Sequence, residues 1–233
     1  MADMTKRQKI VETLIDKNKT YGLKEAISTL KKMPGMKFDE TVDVAVKLNL
    51  DPKQAQSTGI RGMVALPHGT GKKVRVVVFC KGEEEKRASD AGADVVGAEE
   101  LVAKVQGGWT DFDVAIAAPD MMREIARLGK VLGPRGLMPS PKSGTVTQDT
   151  AKAVKEVRAG KIEFKMDKQA GIHALLGKLS FTEQALYENA VTLIDAIMNS
   201  NPQGPKGMHV KTIFLSTTMG PGLRLDLTEL RKS

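Results

Sequence analysis

A chain of 233 residues has room for one large domain or two modest ones, and its formal net charge of +8, from 36 Lys+Arg against 28 Asp+Glu, suggests a polyanionic partner without naming it. A single cysteine, Cys80, excludes an internal disulfide and fits a reducing cytoplasm, where its expected role is a small buried hydrophobe. Six Phe, two Tyr and one Trp are too few for recognition by stacking many bases along one strand; no apolar run is long enough to span a bilayer, and the basic, polar Met1–Lys9 carries no secretion signal.

The spacing predicts a helix over 6–17 with Ile10, Val11, Leu14 and Ile15 on one face. A second helix over 22–33, with Leu23, Ala26, Ile27 and Leu30 as its stripe, is stopped by Pro34-Gly35. Lys37-Phe38-Asp39-Glu40-Thr41 then leads into residues 42–50, where every even position is a branched aliphatic and the odd ones are Asp43, Ala45, Lys47 and Asn49. Successive side chains on a strand point to opposite faces, so this is a strand with one face in a core and one outward. Phe38 at its entry is either a core plug or a stacking platform, and pattern alone favours the core. Residues 53–60 read as a loop, and a short strand over 61–66 ends at Pro67.

After Pro67 the pattern changes. His68-Gly69-Thr70-Gly71-Lys72-Lys73 is a basic connector, and 74–79 is a nearly continuous apolar run expected to be buried on both faces. Helix 83–91, strand 94–96, helix 98–106, strand 113–117 and helix 119–128 follow in alternation, as in a parallel sheet with helices packed on it. A Gly/Pro-rich basic stretch, 129–144, precedes a last helix over 149–158. At Ala159-Gly160 the pattern reverts. Residues 161–166 alternate, 171–179 form a strand after a turn, Ser180 and Glu183 have capping-box spacing at the head of a long helix, and 208–217 form a final strand. The expected fold class is therefore α/β in two domains: an α/β two-layer sandwich built from both termini, 1–67 plus 160–233, and an inserted Rossmann-like parallel α/β domain, 68–159. Most of the basic excess lies in the outer domain.

Catalytic patterns are lacking. His68, His173 and His209 have no metal-ligand spacing, and Gly69-Thr70-Gly71-Lys72-Lys73 has Leu66 and Lys73 where a phosphate loop needs Gly and Ser or Thr. Lys81-Gly82-Glu83-Glu84-Glu85 after the first parallel strand would repel a pyrophosphate. No catalytic residue, metal or cofactor is expected. Binding features are stronger: Lys37, Phe38, Thr41, Asp43, Lys47 and Arg61 around the first strand, Lys161, Lys165 and Lys168 around 161–168, and the hydroxyl- and glycine-rich run Ser216–Gly222 offer the phosphate, 2′-hydroxyl and shape contacts of a folded RNA.

Lys37-Phe38-Asp39-Glu40-Thr41-Val42, Arg61-Gly62, Leu66-Pro67-His68-Gly69, Ala91-Gly92-Ala93-Asp94, Leu132–Pro139, Gly144-Thr145-Val146, Asp167-Lys168 with Ile172-His173, and Ser216-Thr217-Thr218-Met219-Gly220 together resemble the bacterial ribosomal protein L-one family, the mobile-stalk protein of the large subunit. The resemblance runs in order along essentially the whole chain. It implies a sandwich domain with an insert joined through two hinges at Pro67, His68, Gly69 and at Ala159, Gly160. It implies binding to large-subunit rRNA at the stalk, assistance to deacylated tRNA leaving the exit site, and repression of the protein's own operon mRNA through a similar RNA fold. It further implies a ribosomal, cytoplasmic location, no membrane, and a monomer when free of the ribosome. By the matching motifs, RNA-binding residues are expected at Glu25, Lys37, Phe38, Thr41, Arg61, Lys165, Lys168, Thr217, Thr218, Met219 and Gly220. Lys165-Met166 stands where the family commonly has Arg-Asn, which removes a bidentate phosphate fork beside Lys168.

Overall fold

A computed structural model describes residues 5–16, 19–50, 60–200 and 210–230. The loop expected at 53–60 lies almost wholly outside them, as do the first two residues of the last strand, Met208 and His209. In chain order the elements are α1 (Lys6–Leu14), α2 (Leu23–Lys32), β1 (Thr41–Leu48), β2 (Arg61–Ala65), β3 (Val76–Phe79), α3 (Glu83–Asp90), β4 (Val95–Gly97), α4 (Glu99–Gln106), β5 (Val114–Ala117), α5 (Thr150–Arg158), β6 (Lys161–Lys165), β7 (Gly171–Lys178), α6 (Glu183–Asn199), β8 (Val210–Thr217), β9 (Leu223–Arg224) and α7 (Leu227–Leu230). A series of short helical turns, Pro119–Met121, Met122–Ile125, Ala126–Leu128 and Gly129–Leu132, stands where one helix over 119–128 was expected.

Contacts divide the chain into two compact units, Met1–Gly71 with Ile162–Ser233, and Lys72–Lys161. The first is a four-stranded sheet in the order β7-β1-β8-β9, antiparallel throughout, beside a two-stranded β2-β6 sheet. The even residues of β1, Val42 to Leu48, are buried while Thr41, Asp43, Ala45 and Lys47 are not, so one face of the sheet is core and the other open. Leu23, Ala26, Ile27 and Leu30 of α2 and Leu186, Ala190, Leu193, Ile194 and Ile197 of α6 cover the core face. Phe164 from β6 is buried beside Gly62 of β2, where an added methyl group would stand 2.5 Å from its ring.

Two expectations need correction. The expected apolar stripe of the first helix is only partly covered: Ile10 and Leu14 are exposed, Ile15 packs on the core, and the helix ends at Leu14 rather than Lys17. The cap of α6 is Thr182, whose hydroxyl accepts from Ala185 N–H at 3.2 Å, and not Ser180. Ser180 is instead drawn to Asp39, donating through its hydroxyl at 2.7 Å and its amide at 3.1 Å. A long-range carboxylate won over the local capping-box pattern.

Asn189, wholly buried on α6, accepts from His68 N–H at 3.1 Å and donates to Gly69 O at 3.0 Å and Leu176 O at 2.8 Å. Pro67-His68-Gly69 is thereby fastened to the first unit, with His68 Nε2 2.6 Å from Glu188. Gly71, with φ +70°, lies so close to Lys178 and Phe181 that a side chain would meet both at 2.9 Å. On the return path Ala159 and Gly160 close α5, their amides bonding Lys155 O at 2.8 Å and Val157 O at 3.1 Å.

The second unit is a parallel sheet in the order β4-β3-β5, extended by a parallel bridge between Ala117 and Val146. Val77 and Phe79 join one apolar cluster with Leu101, Ile125 and Leu132, while Val76, Val78 and Cys80 join another with Ala88, Val154 and Val157. An unbroken apolar strand is the consequence of burial on both faces.

Candidate nucleic-acid interface

Three segments meet where β1 begins. Thr41 pairs with Lys178 at the end of β7, and Val42 pairs with Thr217 at the end of β8. Beyond the ladder, Thr218 N–H donates to Thr41 O at 3.0 Å and Thr41 N–H donates to Thr218 Oγ1 at 3.0 Å, so the two threonines lock one another. The turn tightens at Gly220, whose amide donates to Thr217 O at 3.0 Å; an added methyl there would stand 2.3 Å from Thr217 Oγ1. Thr217 itself is buried, which makes it a support beneath Gly220.

Underneath lies Glu40, only 2% exposed. Its carboxylate accepts from Met219 N–H at 3.0 Å and from the Arg7 guanidinium at 3.2 Å, and its carbonyl accepts from Leu179 N–H at 2.8 Å. Lys178 Nζ donates to Thr41 Oγ1 at 3.1 Å and Asp39 O at 3.3 Å. On this braced frame Phe38 is 51% and Met219 55% exposed, with Met36 and Lys37 also exposed. Lone exposed apolar side chains are ordinary; two large ones on loops tied through one buried carboxylate form a platform. Phe38 is therefore no core plug.

The remaining expected residues lie elsewhere in the first unit. Lys168 is exposed in the turn before β7, at the opposite end of β1, where Lys47 pairs with Gly171. Six residues of strand separate Thr41 from Lys47, about 20 Å. In that turn Asp167 accepts from Gly171 N–H at 2.6 Å and Gln169 N–H at 2.8 Å, which hold its carboxyl below the usual range, and Lys47 bonds the Gln169 carbonyl. Arg61 on β2 has its guanidinium taken by Glu163, and Lys165 is exposed on β6. Glu25 sits in the first turn of α2, its carboxylate 2.5 Å from Lys19 Nζ; the platform follows the other end of that helix.

Between the two ends of β1 runs the open face of the sheet. Its cross-strand rows are Leu175–Asp43–Ser216 and His173–Ala45–Phe214, with Leu175, His173 and Phe214 exposed. Burial pushes the Asp43 carboxyl up, against the pull of His173 and Lys178. Sequence reasoning missed Arg7, Glu40 and Lys178. For Lys178 the obstacle was a register shift between Val42 and Asp43, which breaks the alternation of β7. For Arg7 and Glu40 no local pattern exists, since their partners lie 27 to 212 residues away.

In the second unit, Lys81 after β3 is held by Glu99 at 2.9 Å and Glu124 at 3.0 Å, so the ends of the parallel strands are lined by carboxylates. Arg135 in the Gly133–Pro139 run bonds the Thr110 hydroxyl, and Lys104 lies 4.3 Å from the Trp109 ring. Burial pushes the Cys80 thiol up to about 11, far from a reactive thiolate. Among the described residues no cluster of His, Cys, Asp and Glu is placed to hold a metal ion, and no helix is long and apolar enough to cross a membrane.

A family model described as "Ribosomal protein L1p/L10e family" matches residues 26–221. The chain is 50% identical over 229 residues to the large ribosomal subunit protein uL1 of Protochlamydia amoebophila (strain UWE25), an alignment covering 98% of this chain and 97% of that protein. It is 51% identical over 233 residues to the protein of the same name from Chlamydia abortus (strain DSM 27085 / S26/3), covering 99% and 100%.

Proposed function

The chain belongs to the ribosomal protein L1p/L10e family, and on that premise we propose that it is a protein of the large ribosomal subunit that grips the rRNA of the mobile stalk with the platform at the head of β1. A member of this family is a structural ribosomal protein and not an enzyme. The observation that carries the reading is the pairing of exposed Phe38 and Met219 on loops braced by Glu40 and the Thr41–Thr218 lock. The Phe38 ring and the flexible Met219 thioether receive a ribose or base, while the adjoining hydroxyls, Lys37 and Lys178 meet phosphates and 2′-hydroxyls. Thr217 and Gly220 shape this loop. Arg61, Lys165 and Lys168 form a second, peripheral group for backbone phosphates, and Glu25 orders Lys19 nearby.

The finer roles rest on the same surface. A messenger that folds like the stalk would occupy the platform in its place, so the protein represses its own operon. Stalk-bound protein assists deacylated tRNA leaving the exit site; because Asn189 fastens His68 and Gly69 while Ala159 and Gly160 close α5, the hinges expected at Pro67, His68, Gly69 and at Ala159, Gly160 move to the chain crossings at Gly71–Lys72 and Lys161–Ile162. Its place is the cytoplasmic ribosome.

The test is binding to a stalk-sized rRNA fragment across a salt series beside a scrambled RNA of equal length. Specific binding that persists at about 200 mM salt, where charge alone has mostly faded, is expected. Equal, steeply salt-dependent binding to both RNAs overturns the reading. An operon-leader RNA competing with the fragment, and faster tRNA loss from ribosomes carrying the protein, test the two finer roles. Scattering from the free protein that fits one rigid shape would overturn the hinges.

A further inference from the structure

We propose that Arg7 is a positioning residue for RNA binding: its guanidinium clamps the loop that presents Met219 and couples that loop to the N-terminal helix. The proposal rests on the RNA-binding reading above and assigns a role to residues outside the expected interface.

Arg7 donates to Met219 O at 2.9 Å, to Pro34 O at 3.2 Å through Nε, and to Glu40 Oε1 at 3.2 Å. These acceptors belong to the turn after β8, the segment leading to Phe38, and the residue before β1. A planar guanidinium with donors in a fixed fork can serve all three together; a lysine ammonium, a point charge on a flexible stem, cannot hold that geometry. Glu40 completes the device. One carboxylate oxygen takes Arg7 and the other takes the Met219 amide, so both main-chain polar groups of Met219 are held by one ion pair. With Glu40 2% exposed, removing Arg7 leaves a buried carboxylate that has lost its counter-charge.

Direct phosphate contact is the competing role for a basic residue here. Against it, the guanidinium is already committed to three acceptors and its side chain is only 24% exposed. The described side chains of the N-terminal helix include no buried one, and Ile10 and Leu14 are exposed. Past its end Ile15 packs on the core and Asp16 bonds the Tyr21 hydroxyl, so its two ends are tied by Arg7 and by this pair. A helix of nine residues is marginal alone, so tertiary ties such as the one Arg7 makes contribute to its order. Coupling is reciprocal: what steadies Met219 steadies the helix.

The experiment compares wild type, R7A, R7K and E40Q, with T218A as a contact-loss control. It measures affinity for the stalk RNA fragment over a salt series, well below each variant's melting midpoint, together with hydrogen exchange of the free and bound proteins. R7A is expected to lose about tenfold in affinity with an unchanged salt slope, and R7K to recover little of it. E40Q is expected to weaken binding although it removes a negative charge, which a direct phosphate contact by Arg7 would not do. The Met219 amide should exchange faster in R7A, and RNA should slow exchange in 6–14 of the wild type but not of R7A. A salt slope lower by about one unit in R7A, or R7K binding as wild type, makes Arg7 a phosphate contact and overturns the proposal. Affinity of R7A within about twofold of wild type also overturns it. If R7A does not fold, R7K and E40Q carry the same readouts. If wild type fails to prefer the stalk RNA, the RNA reading falls, and Met219 exchange in the free variants alone then decides whether the clamp exists.

Discussion

Replacing Phe38 by alanine separates the two roles its position in the sequence left open. A core phenylalanine truncated to alanine loses about 3–5 kcal/mol. Phe38, however, is 51% exposed, and half of the about 1.5–3 kcal/mol released by full burial is near 1 kcal/mol. For a chain of this size that shifts the melting midpoint by about 2–4 °C. Stacking of a base on an aromatic ring is worth about 1–3 kcal/mol, or roughly 5- to 150-fold in the dissociation constant. The expected F38A protein is therefore nearly as stable as wild type and markedly weaker on the stalk fragment. Calorimetry and fluorescence anisotropy at fixed salt measure the two quantities. A drop of more than about 8 °C with unchanged affinity would refute the reasoning, because it would make the ring a structural plug.

Gly62→Ala forces a methyl to 2.5 Å from the buried Phe164 ring and should cost about 1–3 kcal/mol, read from urea unfolding, with RNA affinity of the folded fraction unchanged. Asn189→Ala strips partners from His68 N–H, Gly69 O and Leu176 O, and about 2–4 kcal/mol of destabilisation with faster exchange at His68 is expected; a loss under about 1 kcal/mol would show that water replaces the amide. Cys80 should resist iodoacetamide at neutral pH until the protein is unfolded, since burial holds its thiol near 11. Asp167, held down first by the Gly171 amide, contributes stability that is present above the ordinary carboxylate range and lost as pH falls through its lowered folded value. The Gly171 amide should accordingly lose protection only in distinctly acidic solution, and protection that vanishes already near an ordinary aspartate titration would contradict this.

Periodicity carried most of the fold into view. The alternation from Val42 to Leu48 and the unbroken run from Val76 to Phe79 are direct imprints of one-faced and two-faced burial, and the structure sorts these strands into an antiparallel and a parallel sheet. What failed had a competitor far away in sequence. Ser180 left its capping position for Asp39, and Ile10 and Leu14 of the first helix's stripe met no core. The platform residues Phe38 and Met219 were visible as motif, yet their exposure was not, because a lone aromatic at a strand entry has the same pattern inside or out. Arg7 and Glu40 were invisible for a further reason: an ion pair joining residue 7 to segments near 34, 40 and 219 leaves no local spacing to read.

The register shift at the start of β1 leaves Leu176 without a partner on that strand, and Asn189 takes its carbonyl. β7 is the edge of its sheet, and an edge with free carbonyls is a template on which another chain can add a strand. At its other end, Ile172 is bridged by Met166. Asn189 thus satisfies from the helix layer a buried acceptor that the strand ladder leaves unpaired, and the irregularity in β7 leaves this carbonyl with a partner.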